Sequence, residues 1–242
     1  MKTIVVDDYE SVSKRSAALI ADQINSKPKS VLGFATGDTP AGAYRELIEM
    51  CKAGKIDFSQ ATTFNLDEYY PIKRTDDQSY HYFMMNSLFD HINIPEGRIN
   101  IPNGEAGNVE AECLEYEKKI EKAGGIDFQI LGIGLNGHIG FNEPGDFFTK
   151  ITNYVTLQES TIEANSRFFA SMDDVPKFAI SMGISTIMHA KKILLMISGE
   201  RKAKIAKEAI LGKITPKVPA SILQLHQDVT VILDKDAAKL IS

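Results

Sequence analysis

Short, nearly unbroken apolar runs occur in this chain at residues 3–6, 30–35, 62–66, 127–133, 192–197 and 229–233. Most lack the strict apolar–polar alternation of a half-exposed strand, so they predict strands covered on both faces. Between them, apolar residues recur at three- and four-residue spacing and predict amphipathic helices over 9–26, 40–53, 109–123 and 200–211. Repetition of strand, helix and strand implies an α/β fold built on a doubly wound, mostly parallel sheet with helices on both faces. No internal repeat, low-complexity tract or long linker divides residues 1–242, which predicts a single domain. Its least regular stretch, 146–174, is a candidate lid.

Composition narrows the class. The chain has 242 residues, 43% hydrophobic, with a formal charge of -5, enough apolar material for a sizeable core. No run approaches the roughly 20 apolar residues a membrane-spanning helix needs, and Met1-Lys2-Thr3 leads into a strand rather than a signal-peptide core. A cytoplasmic protein without a membrane partner is expected. Cys51 and Cys113 lie far apart with no CxxC pairing, so both are expected to be packing thiols. Mild acidity and the lack of a Lys/Arg stripe argue against nucleic acid as a partner. A small anionic ligand stays open, because backbone dipoles and single cations act locally.

The polar clusters fall in a telling place. "TGDTP" (36–40), "DEYY" (67–70), "NGHIGFNEP" (136–144) and "SGERK" (198–202) each follow an expected strand. In a parallel sheet all four emerge at the carboxyl edge, where open α/β sheets bind ligands. In the first, Thr39 reads as an N-cap and Pro40 as the first helical residue, leaving exposed amides that seat an anion. An ordinary strand-to-helix turn would read the same way. Lys202, however, opens another helix against the dipole, an arrangement that makes sense opposite a bound anion. Arg167 in "ANSRFF" is a third candidate ligand for a phosphate.

Asp67 and Glu68 stand just past a buried strand, where partial desolvation raises a carboxylate toward the range of a general base. His138 alone among five histidines sits in a glycine-rich strand-end loop, with Asn136 before it and Glu143 after it. An imidazole that titrates near neutrality suits proton transfer. No second His or Cys lies at ligand spacing, so no metal is expected there.

At these residues the chain resembles the glucosamine-6-phosphate deaminase family. The likeness is carried by "LGFATGDTPAGAY", "TTFNLDEYYP", "GIGLNGHIGFNEPG", "ANSRFF", "VPKFAISMGISTI" and "LLMISGERKA", in the family's order across nearly the whole chain. The resemblance implies a Rossmann-like α/β fold and an aldose–ketose isomerisation coupled to deamination. Glucosamine 6-phosphate and water would become fructose 6-phosphate and ammonia, in amino-sugar catabolism, with no cofactor and no metal. It further implies that Asp67 moves the proton from C2 to C1 and that His138 opens the sugar ring with Asn136 and Glu143 as its relay. Thr36, Gly37, Thr39, Arg167 and Lys202 match phosphate-binding positions. Two alternatives share the fold, a 6-phosphogluconolactonase-like hydrolase and a sugar-phosphate-sensing domain. The first has no use for an enolising base at Asp67, and the second usually carries a helix-turn-helix segment for which residues before Val31 or after Leu233 leave no room.

Three departures from the family pattern set further expectations. Many relatives read Gly-Gly-Thr-Pro where this chain has Gly37-Asp38-Thr39-Pro40, so Asp38 is expected to face away from a phosphate or to meet a cation. Asn136 stands where some relatives have Asp, and is expected to orient His138 by accepting from its ring N–H. Hexameric relatives activated by N-acetylglucosamine 6-phosphate carry a basic cluster and a longer tail, whereas residues 148–157 retain only Lys150 and the chain stops at Ser242. A monomer or small homo-oligomer without that activation is expected.

Overall fold

The structure is a computed structural model and describes residues 1–241. In chain order its elements are β1 (Lys2–Val6), α1 (Tyr9–Ser26), β2 (Val31–Phe34), α2 (Asp38–Lys52), β3 (Thr62–Asn65), β4 (Asp67–Tyr70), α3 (Tyr80–Ser87), β5 (Ile99–Asn100) and α4 (Val109–Lys122). They continue with β6 (Phe128–Leu131), β7 (Asn153–Thr156), α5 (Glu159–Asn165), β8 (Phe178–Ser181), α6 (Ile184–Met188), β9 (Lys192–Ile197), α7 (Ala203–Leu211), β10 (Val229–Asp234) and α8 (Lys235–Ala238).

Seven strands form one sheet in the order β1-β10-β9-β6-β2-β3-β5, with every neighbouring pair parallel. Its strands bury alternate residues in two separate cores. Ile193, Leu195 and Ile197 of β9 face one core with Tyr116 and Ile120 of α4 and Ile205 of α7. Leu194 and Met196 face the other with Val12, Ile20 and Ile24 of α1 and Leu47 of α2. This double coverage is why the strands read as continuous apolar runs. Helix α1 begins where the Asp8 carboxylate accepts from Ser11 N at 2.8 Å and buries Val12, Ala17, Ile20, Ala21 and Ile24 along one stripe. Truncating the fully buried Ile20 to Ala would cost roughly 2–5 kcal/mol.

From β2 the chain builds outward through β3 to β5, then returns to the other side of β2 to lay down β6 and later β9. The topological switch point therefore lies between β2 and β6, and a crevice outside their carboxyl ends is the place such sheets offer a ligand. The loops after β2, β3, β6 and β9 leave from four adjacent central strands. At the opposite edge Asp127 ties β2 to β6, accepting from Val31 N at 2.8 Å and from the ammonium groups of Lys27 and Lys191 at 2.6 and 2.8 Å.

A second sheet, β4-β8-β7, is antiparallel and corrects the expectation that residues 67–70 are a loop. Leu66 is the joint between the sheets: its N–H donates to Phe34 O at 2.9 Å and its carbonyl accepts from Met182 N at 2.7 Å. The stretch 146–174 also holds more order than expected, with β7, α5 and two short 3-10 turns, Ser166–Phe168 and Met172–Asp174.

Candidate active site

The loop after β2 turns at Gly37, whose φ of 110° is readily reached only by glycine. Helix α2 consequently opens at Asp38, with Gly37 as its cap and no side chain on its first amides. The expectation that Thr39 caps the helix and Pro40 begins it is corrected. Thr39 lies inside the first turn, and its hydroxyl accepts from Lys202 Nζ at 3.2 Å.

Lys202 ends a 3-10 turn, Glu200–Lys202, that leads into α7. The loop beneath it is held by Asp234, whose carboxylate accepts from Ser198 Oγ and from Gly199 N, the latter at 2.9 Å, and also caps α8 at Ala237 N. Burial lowers the Lys202 pKa, and the Arg167 charge adds to that, against the pull of Asp38 and Asp234. Arg167 arrives from the turn after α5. Its Nη2 donates to Asp38 Oδ2 at 2.7 Å, and its guanidinium lies 4.5 Å from the centre of the Phe168 ring. The exposed amides of α2, Thr39, Lys202 and Arg167 thus gather at one mouth.

Asp67 opens β4 and is 6% exposed. Burial raises its pKa to about 8, and the neighbouring Glu68 carboxylate pushes the same way. No hydrogen bond from the described residues offsets that push. Glu68, on the other face of the strand, is fully engaged. It accepts from Tyr69 N at 2.9 Å and from Tyr80 N and His81 N at 2.8 Å, fastening the start of α3 to β4. Its pKa rises to about 7 through burial, held back by those same N–H groups. The "DE" pair therefore divides into a free carboxyl group and a structural one.

The loop after β6 is shaped around His138. A Cβ at Gly134 would sit 2.4 Å from His138 Nε2, so glycine lets the imidazole lie flat against the backbone. His138 Nδ1 faces Glu143 Oε2 at 3.4 Å, and the same oxygen accepts from Asn136 Nδ2 at 2.8 Å. Thr161 Oγ donates to the other Glu143 oxygen at 2.6 Å. Burial pushes the Glu143 pKa up, yet His138, Thr161 and Asn136 together hold it below the usual carboxylate value. Asn136 departs from its expected partner: its Oδ1 accepts from the His138 backbone N–H at 3.2 Å, while the ring nitrogen goes to Glu143. Two residues of separation bring an Asn carbonyl to the local backbone more readily than to the ring beyond it.

The loops of His138 and Asp67 close on one another. Asp67 pairs with Ser181 across the β4–β8 ladder, and Ser181 Oγ accepts from Phe141 N at 3.0 Å. Gly140, at φ 56°, passes so near that a Cβ there would lie 3.5 Å from Asp67 Oδ2. The Tyr80 ring packs against Tyr69 with centroids 4.8 Å apart, and Asn165 Nδ2 donates to Tyr69 Oη at 2.9 Å. The His138 loop and Asp67 therefore lie side by side, at the same carboxyl edge of the sheet from which the loop into α2 leaves.

Several positioning residues escape a reading of sequence alone. Asp234, Ser181 and Thr161 each act on a loop far from them in the chain, by 35, 40 and 18 residues. The buried Asn142, whose Nδ2 donates to Ile139 O and Met182 O at 2.8 Å, was visible only as part of the glycine-rich stretch. Among the described residues no group of three or more His, Cys, Asp or Glu side chains is arranged to hold a metal ion. No described helix is long and apolar enough to cross a membrane.

Comparison with known proteins accords with this geometry. A glucosamine-6-phosphate deaminase of Clostridium botulinum (strain Loch Maree / Type A3) is 61% identical over 238 residues, 98% of each chain. One from Thermoanaerobacter sp. (strain X514) is 56% identical over 241 residues, 100% of this chain and 95% of its own. A solved structure described as a monomeric glucosamine-6-phosphate deaminase superposes with a TM-score of 0.97 at 48% identity, covering 99% of this chain and 100% of that one. The family model for glucosamine-6-phosphate isomerases/6-phosphogluconolactonase matches residues 7–232, and the chain belongs to that family.

Proposed function

We propose that this chain is the deaminase of its family, converting glucosamine 6-phosphate and water to fructose 6-phosphate and ammonia. The phosphoryl group sits at the first turn of α2, on the amides from Gly37 onward and on Thr36, Thr39, Lys202 and Arg167. His138, aimed by Glu143 and backed by Asn136, carries a proton from the O1 hydroxyl to the ring oxygen and opens the pyranose. Asp67 takes the proton from C2 of the open aldehyde while O1 gains a proton given up by the C2 ammonium group, leaving an enolamine, and Asp67 then returns its proton to C1. The product is a C2 ketimine, to which water adds and from which ammonia departs. No metal or cofactor takes part in these steps. Each positioned acid or base supplies a factor of roughly 10²–10⁴.

The observation that carries this reading is the unpaired, buried carboxyl group of Asp67 beside the histidine loop. A base that abstracts a carbon-bound proton gains from a raised pKa, whereas lactone hydrolysis, the rival within the family, asks nothing of it. The chain works in this reading as one domain, a monomer or small homo-oligomer in the cytoplasm, with 146–174 as a lid that brings Arg167 to the phosphate. Incubation with glucosamine 6-phosphate, following fructose 6-phosphate and ammonium together, should show one of each per turnover. Asp67→Asn and His138→Gln should abolish that turnover while inorganic phosphate still binds. Release of neither product by the native chain, with hydrolysis of 6-phosphogluconolactone instead, would overturn the assignment.

A further inference from the structure

Lys202 and Arg167 bring two positive charges to the mouth of α2, and Asp38 brings a negative one. The mouth therefore sets these two cations and one resident carboxylate before a phosphate monoester that bears about -1.5 to -2 near neutrality. Asp38 is also fixed there. Tyr9 Oη donates to its carbonyl oxygen at 2.6 Å and accepts from Gly42 N at 2.8 Å, pinning the first turn of α2 from behind. Arg167 in turn reaches the mouth from a segment tied down by Asn165 and Tyr69.

We propose that Asp38 is a resident counter-anion that determines phosphate affinity: it occupies Arg167 in the empty enzyme and must yield it to the incoming phosphoryl group. The inference rests on the phosphate reading of this mouth given above. Both side chains are largely exposed, 59% for Arg167 and 71% for Asp38, so their pairing is weak and exchangeable. Once the phosphoryl group has taken Arg167, the Asp38 carboxylate stays within the same mouth as a like charge. The penalty falls on the shared chemical group, so substrate, product and inorganic phosphate are all held less tightly. Weak ground-state binding of this kind guards against saturation without touching the reacting carbons.

The test uses Asp38→Asn, which keeps the shape, and Asp38→Ser, a second uncharged residue suited to a helix start. Calorimetry gives the Kd of inorganic phosphate, and steady-state assays give KM and kcat for glucosamine 6-phosphate, each at low and high ionic strength. At low ionic strength Kd and KM should fall together by about three- to tenfold in both variants, with KM moving more than kcat. The gap should narrow as salt screens the charges. A phosphate Kd that is unchanged, weaker or undetectable in both variants would overturn the inference, as would a fall in KM that phosphate does not share. Calorimetry needs no turnover, so failure of the native chain to release ammonia would remove the deaminase reading and still leave the role of Asp38 decided.

Discussion

Two buried aspartates, one before the amino end of β6 in the parallel sheet and one past the carboxyl end of β3 at the start of the second sheet, are treated in opposite ways. Asp127, 3% exposed at the amino end of β6, meets two lysines and a backbone N–H. Burial alone would push its pKa up, but Lys191, Lys27 and Val31 N outweigh burial and bring it below the ordinary value. Asp67, 6% exposed at the carboxyl edge, has no such partners and is pushed up to about 8. The lesson is that a carboxylate serving the fold is neutralised by its surroundings, while a buried one left unsatisfied, as Asp67 is, is the kind a proposed proton-transfer role calls for.

The comparison can be broken most sharply by isosteric replacement of each. Asp67→Asn should lower kcat by about 10³-fold or more with the fold intact, as read from ammonia release and circular dichroism. Asp127→Asn should instead cost about 2 kcal/mol of stability in urea titration while the folded fraction keeps its turnover. A drop in kcat for the folded Asp127 variant comparable to that for Asp67 would erase the distinction.

Stability against pH sharpens it further, because the two shifts have opposite signs. The raised pKa of Asp67 means its contribution is fully present below the unfolded value of 3.8 and is lost as pH rises through about 8. Asp67→Asn should therefore be more stable than the native chain by about 1–2 kcal/mol at pH 8, with the gain gone near pH 4. The lowered pKa of Asp127 stabilises above 3.8 and that help fades as pH falls through its folded value. The deficit of Asp127→Asn should shrink in acid. Parallel pH profiles for the two variants would contradict this assignment of partners.

The rate should report the same carboxyl group. A base must be ionised, so kcat/KM should climb along an acid limb that extends toward pH 8, rather than levelling near pH 4. The smallest effect is expected at Thr161, which only steadies Glu143. Thr161→Val should reduce kcat about fivefold. An effect as large as that of His138→Gln would mean Thr161 touches the substrate.

Much of the sheet was legible from local pattern. The apolar runs at 30–35, 62–66, 127–133, 192–197 and 229–233 correspond to β2, β3, β6, β9 and β10, since burial on both faces writes itself into every position of a strand. Strands β4, β7 and β8 were not legible. The burial of β7 alternates with exposure, and β4 carries the polar pair Asp67 and Glu68, so neither reads as the continuous apolar run that marks the strands of the main sheet. The His138 loop showed through its glycines, but the partner of Asn136 and the cap of α2 turned on backbone torsions that sequence does not display.

What the sequence determined by itself was local: continuous apolar runs for strands, a 3.6-residue period for helices, turn residues at strand ends, and hence a parallel α/β sheet with its polar loops along one edge. The tertiary structure alone decided which of those loops meet. Arg167 finds Asp38 across 129 positions, and Phe141 finds Ser181 across 40. Such contacts depend on the order in which strands pair and on the bend at Leu66, and residues so far apart in the chain impose no pattern on one another's neighbours. The raised pKa of Asp67 belongs to the same class, because desolvation is a property of everything packed around a carboxyl group and not of the residues beside it in sequence.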